Sequence, residues 1–224
     1  MKPETTKKLL ALKNYLGACE NLTAEQKAAF SQMIEQVFYA ETPLTNGKFD
    51  IYKFTNPKDR HEQLRGVYYD NGTIAASDGY ILTAVKQEYP AEHEGLIIDK
   101  NGEKIDAKYP NYKGVFPLTE GWPTYQIDFA KVRNIIKRSK AWARANGKKQ
   151  NCHERLIKVG PAFFRLDYFE ILVSGMEHIE NNVLMIKDKI TAAVCKNDKG
   201  NLLLMPFCEP SDKEGVFIEE LKQN

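Results

Sequence analysis

Two short β-type runs, at 66–69 and 73–77, are separated by Asp70-Asn71-Gly72. Asn-Gly accepts the positive φ angles of a tight two-residue turn, so the runs fold back on each other as an antiparallel hairpin. The same signal recurs at 95–98 and 103–107, around Asn101-Gly102. Further strands are expected at 48–54 and 81–86, and in the second half at 156–159, 182–186, 190–195 and 201–207, bounded by Asn-Pro, Asp-Gly and Gly-Pro breaks. Helices interrupt this pattern. One is expected at 4–19. A second, at 24–40, starts from a capping box of Thr23 and Gln26 and carries Phe30, Met33, Ile34, Val37 and Phe38 on one stripe. A third, at 128–145, starts from Asp128, with Phe129, Val132, Ile135, Ile136 and Ala143 on its apolar side and Gly147 as its stop. A short helix is expected at 167–174. Each half thus reads as helix plus antiparallel strands, an α+β class. The loop at Gly121-Trp122-Pro123 is the expected boundary between two domains, at 23–119 and 120–208, with an N-terminal extension at 1–22 and a tail at 209–224.

At 224 residues the chain has room for either one large domain or two small ones, and 32 basic against 30 acidic side chains make it no polycation. Any nucleic-acid surface must be a local patch. No apolar run approaches the ~20 residues that cross a bilayer, and the N-terminal stretch is too short and too charged for a secretory signal. Cys19, Cys152, Cys195 and Cys208 show no CxxC spacing, which points away from zinc and disulfide scaffolds and toward a reducing cytoplasm.

Catalytic signatures are absent. His61, His93, His153 and His178 have no metal-ligand spacing and read as solvated loop histidines, while Asp78 reads as a turn residue before Gly79. No GxSxG, P-loop or GxGxxG occurs. The expectation is a protein without enzymatic activity, metal or cofactor. A small hydrolase whose groups converge from distant positions is the alternative from another class.

The strongest charged feature is the helix at 128–145 with the loop after it. Lys131, Arg133, Lys137, Arg138, Lys140, Arg144, Lys148 and Lys149 are eight cations within 19 residues, opposed only by Asp128 at the helix start. Ordinary solvated faces mix signs. A uniformly cationic face suits contact with phosphates, without base reading because bidentate Asn or Gln is missing.

Three segments resemble one family. LRGVYYDNGTIAASDGYIL at 64–82 is similar to the "RGV-x-F" strand and "ATDGHRLA" of the bacterial sliding clamp, the β subunit of the replicative DNA polymerase. KYPNYKGVFP at 108–117 resembles its "KFPDYRRVLP". FRLDYFEIL at 164–172 through NLLLMPF at 201–207 resembles its last helix and terminal "VVMPMRL". Together they span about residues 25–208. The resemblance implies two clamp-like domains, matching the family's second and third. It also implies phosphate contact by the helix at 128–145 and a processivity scaffold that tethers partner proteins to duplex DNA. A trimer of such chains would close a six-domain ring. The family docks peptides of replication and repair proteins in a groove between those two domains. The matching positions are Gly79, Tyr80, Ile81, Leu82, Pro110, Val115, Leu203, Met205, Pro206 and Phe207.

The chain departs from the pattern where His-Arg is replaced by Tyr80-Ile81 and an Arg by Gly114, which makes the groove more apolar. The helix at 24–40 carries one Lys and two Glu. The tail has no family counterpart, and its cluster Val216-Phe217-Ile218 with Leu221 would either fill the groove or extend a sheet edge. The runner-up function is a clamp-fold module that binds a replication or mobile-element partner without encircling DNA.

Overall fold

The computed structural model describes residues 49–149, 152–212 and 214–221, together with 22, 23, 26 and 27. The helices expected at 4–19 and 24–40 lie almost wholly outside these residues. The capping box is within them: the Thr23 amide donates to Gln26 Oε1 (3.0 Å) and the Gln26 amide to Thr23 Oγ1 (3.2 Å).

The first hairpin forms as its turn dictates. Strands β1 (Val67–Asp70) and β2 (Thr73–Ser77) pair with Asp70 opposite Thr73, and Asn71 and Gly72 take φ of 48° and 74°. Then follow β3 (Ile81–Lys86), β4 (Ile97–Ile98), β5 (Lys104–Ile105) and β6 (Thr124–Gln126). The second half contains α1 (Phe129–Ala145), β7 (Arg155–Val159), β8 (Ala162–Arg165) and α2 (Leu166–His178). It ends with β9 (Val183–Met185), β10 (Ala193–Lys196), β11 (Gly200–Leu204) and β12 (Phe217–Leu221).

Nine strands make one antiparallel sheet in the order β5-β4-β1-β2-β3-β11-β10-β9-β6. Its centre is the β3–β11 pair, where Leu82 faces Leu203 and Ile81 faces Leu204, so strands from both halves share one ladder. Both faces of this centre are covered, which is why its strands read as continuous apolar runs rather than as alternation. On one face Ile74, Ile81, Val85, Leu202 and Leu204 join the main core with α1, α2 and the second sheet. On the other, Ala75, Leu82, Val194 and Leu203 pack beneath Tyr109 and Tyr112. Helix α2 lies close to the sheet: a Cβ on Gly175 would stand 2.9 Å from Leu202 Cδ2 and 3.2 Å from Phe54 Cζ.

The second sheet has the order β12-β7-β8. Strand β12 runs parallel to β7, with Phe217 opposite Arg155 and Leu221 opposite Val159. The tail therefore extends a sheet edge, and its strand does not fill the groove.

Several expectations need correction. The strand expected at 48–54 does not form over the described residues 49–54; Ile51–Phe54 is a 3-10 turn, because the Asp50 carboxylate accepts the Tyr52 amide (3.2 Å) and bends the chain so that Phe54 is fully buried. Strand β10 starts only at Ala193. Asp188 holds the preceding residues in a loop by accepting from the amides of Ile190 (2.9 Å) and Thr191 (2.6 Å). Helix α2 runs on past residue 174 to His178, its Gly175 placed by packing rather than as a stop. Strands β6 and β8 are short pieces recruited by their neighbours β9 and β7.

Candidate functional site

The groove residues are positioned by the β2–β3 turn, the segment at 108–117 and the end of β11. Asp78 builds the turn. Its Oδ1 accepts the amides of Tyr80 (2.9 Å) and Ile81 (3.1 Å), and its Oδ2 accepts the Tyr168 hydroxyl (2.8 Å). Burial and this bond push the Tyr168 phenol well above the ordinary tyrosine range. Gly79 turns the chain at φ 90°, leaving Tyr80 62% exposed and leaning on the Tyr168 ring at 5.9 Å. The Met205 amide donates to the Tyr80 carbonyl (2.9 Å), and Met205 is 43% exposed beside it.

From this rim an apolar row crosses the sheet. Leu82 pairs with Leu203, Leu203 with Val194, and Val194 with Met185, so one residue from each of four neighbouring strands shares a face. The segment at 108–117 covers that face. Tyr109 and Tyr112 are buried in it, Tyr109 stacked on Tyr68 at 4.9 Å. Asp70 pins the segment by accepting the Tyr112 hydroxyl (2.9 Å) and pairing with Lys113 (2.7 Å). Lys113 first, with Tyr112, holds the Asp70 carboxyl below its ordinary range. Pro110 is exposed, and Val115, at the end of the 3-10 turn Tyr112–Val115, is 54% exposed.

Two residues from the expected groove point elsewhere. Ile81 lies on the opposite face of β3, fully in the main core, because side chains alternate along a strand. Phe207 is tied to β8: its amide donates to the Phe163 carbonyl (2.7 Å) and its ring stacks with His153 at 6.2 Å. Pro206 is half-buried between Met205 and Phe207. No motif in the sequence points to Val194, Met185 or Tyr168 as groove residues. Their places depend on strand pairing and on a contact between residues 78 and 168, which no local pattern encodes.

The cations of α1 and of the loop after it divide into two sets. Four meet carboxylates from other elements: Arg133 with Glu177, Lys140 with Glu170 (2.8 Å), Arg138 with Glu219 (2.6 Å) and Lys148 with Glu154 (2.9 Å). The Lys148 ammonium, with Glu154's own backbone and Cys152, holds the Glu154 carboxyl down to about 2. Lys131, Arg144 and Lys149 are exposed and form no salt bridge among the described residues; Lys137 is also exposed. On the inner side of α1, the buried Arg155 guanidinium donates twice to Ser139 Oγ (2.7 and 3.1 Å), and burial lowers its proton affinity.

Cys152, Cys195 and Cys208 are free thiols, and burial pushes Cys195 up to about 12. Among the described residues no group of three or more His, Cys, Asp or Glu could hold a metal ion, and no helix is long and apolar enough to cross a membrane.

A nine-stranded antiparallel sheet continuous through the β3–β11 ladder, with α1, α2 and the small second sheet packed on one face, is the fold of a DNA clamp. Among solved structures the chain is similar to bacterial β sliding clamps. The sliding clamp of Pseudomonas aeruginosa with ligand matches over 78% of this chain and 64% of its own, at 14% identity and a TM-score of 0.52. The Helicobacter pylori β clamp bound to a DNA ligase peptide matches over 79% and 64%, at 10% identity and a TM-score of 0.50. The C. crescentus β sliding clamp with bound PEG matches over 78% and 63%, at 13% identity and a TM-score of 0.51. The chain thus has the fold of a shortened β clamp, spanning about 64% of the length of the clamps it matches. No protein-family model and no curated protein matches the sequence.

Proposed function

We propose that the chain is a clamp-fold scaffold without chemistry of its own. It seats a short apolar peptide of a partner protein at the Tyr80–Met205 rim and meets duplex DNA through phosphate contacts along α1. One observation carries this reading. Leu82 and Leu203 meet Tyr109 and Tyr112 on one sheet face, while Tyr80 and Met205 stay exposed side by side at its rim and Val115 is exposed in the covering segment. An adaptable thioether and an aromatic ring beside buried leucines suit an apolar ligand. The DNA ligase peptide bound to the Helicobacter pylori clamp, a protein of the same fold, supports a peptide as the ligand.

The test is fluorescence anisotropy with a labelled DNA ligase peptide. The variant carrying Tyr80→Ala and Met205→Ala is expected to bind about tenfold more weakly, the loss typical of truncating a hot-spot contact. Its stability should be unchanged within ~0.5 kcal/mol, as for other surface substitutions. Equal affinity for both proteins would overturn the groove.

A second reading is a partner-binding module that does not encircle DNA. The three ion pairs on α1 and the fourth at Lys148 just after it favour it, since they reduce the charge available to phosphates. Light scattering separates the two: a mass three times 25.6 kDa supports a six-domain ring, and a monomer at high concentration supports the module.

A further inference from the structure

We infer that β12 and the acidic segment before it form a detachable strap over α1, in which the Glu219 carboxylate occupies the place on Arg138 that a DNA phosphate would take. This rests on the phosphate-contact reading of α1 proposed above.

The strap is separable from the fold beneath it. Strand β12 is an edge strand, and β7 keeps its antiparallel partner β8 when β12 is removed. It is also the only parallel pairing among the described residues, reached through a segment at 208–216 that contains Pro210 and Gly215 (φ 66°) and whose described residues form no helix or strand. The charge of the strap is one-sided: Glu209, Asp212, Glu214, Glu219 and Glu220 stand against Lys213 alone.

Strand alternation divides the contacts of β12 between two faces. Phe217, Glu219 and Leu221 share one side. The Phe217 ring lies 5.9 Å from the Trp142 ring, Glu219 pairs with Arg138 at 2.6 Å, and Leu221 is buried. Glu220 points the other way and meets Lys158 at 3.6 Å. Just before the strand, the Gly215 carbonyl accepts from Lys148 Nζ (3.1 Å). The apolar ends of the strand fix its register, and the acidic middle neutralises a cation on the flank of α1.

Such a contact behaves as a competitor built into the chain. Arg138 cannot pair with Glu219 and a phosphate in the same geometry, so duplex binding and strap docking oppose each other through one side chain, and each weakens the other equally. Tethering gives Glu219 a high effective concentration at Arg138, so a lone phosphate group does not displace it, whereas a duplex presenting many phosphates to the helix does.

The experiment compares the full chain with Glu219→Gln, with Glu220→Gln and with a chain lacking residues 215–224. Duplex DNA affinity is measured over a salt series, and hydrogen exchange is followed at the amides of 217–221. Glu219→Gln keeps the strand and is expected to tighten duplex binding about threefold at ~0.1 M salt, the scale of one exposed ion pair. The logarithmic salt slope should steepen by about one, the signature of one added phosphate contact. Glu220→Gln should change neither, and duplex should speed exchange at 217–221 in the unmodified chain. If duplex binds but Glu219→Gln leaves affinity and slope unchanged, the strap is overturned while phosphate contact by α1 stands. If duplex binds none of the four proteins, phosphate contact itself fails, and the strap fails with it.

Discussion

The β3–β11 seam and the outer flank of α1 both stand out in the sequence, one by its apolar runs and one by its cations. At the seam, residues more than a hundred positions apart meet as their strand patterns require, Leu82 against Leu203. On α1 and the loop after it, the expected single-signed face is cut down by Glu154, Glu170, Glu177 and Glu219, which arrive from other elements. Apolar side chains in the central strands alternate between two faces, and both faces are covered at the seam. A cation specifies nothing about which carboxylate the fold will bring to it. The sign of a protein surface is a tertiary property even where its charges are local.

The comparison can be broken first at the seam. Leu203→Ala should cost about 3 kcal/mol, the range for emptying a buried leucine site, measured by urea denaturation. A cost below about 1 kcal/mol would make the row an open groove rather than packed core. Next comes the inner side of α1. Ser139→Ala removes the acceptor of the buried Arg155 guanidinium and should cost about 2 kcal/mol in the same assay. The outer flank gives a smaller effect. Arg144→Gln should weaken duplex binding by about threefold, whereas Lys140→Gln, already paired with Glu170, should change it little. Equal losses would mean that the ion pairs do not partition the helix.

The smallest effect concerns acid. The Glu154 carboxyl is held at about 2 in the folded chain against 4.5 ordinarily. A depressed folded value stabilises the fold above the ordinary one, and this contribution is lost as pH falls from about 4.5 toward about 2. Lys148→Ala should return the Glu154 titration toward 4.5, read by NMR of its side-chain carboxyl, and reduce the acid dependence.

Much of the fold was legible. The Asn71-Gly72 turn, the bounds of β2 and β3, the Asp128 cap and the end of α1 follow from local backbone preferences. Elements that depend on a distant partner are less so: β6 exists because β9 pairs with it, and for β12 the sequence leaves groove filling and sheet-edge extension open until β7 supplies the partner. The 3-10 turn at Ile51–Phe54 was hidden by a strand-like composition that the Asp50 side chain overrides. In the candidate site, Leu82 lies opposite Leu203 and the Met205 amide meets the Tyr80 carbonyl. Ile81 failed on strand alternation, which was visible in the sequence, and Phe207 on its bond to Phe163, which was not.

The seam also sets a timetable for synthesis. Strand β3 is complete once Lys86 has been made, but β11 exists only after Leu204. Through that interval one side of β3 is an unpaired, strongly apolar edge, the kind of template that recruits other chains. Pairing at such sequence separation is slow to form, so the nascent first half is most exposed to aggregation while the second is still being translated.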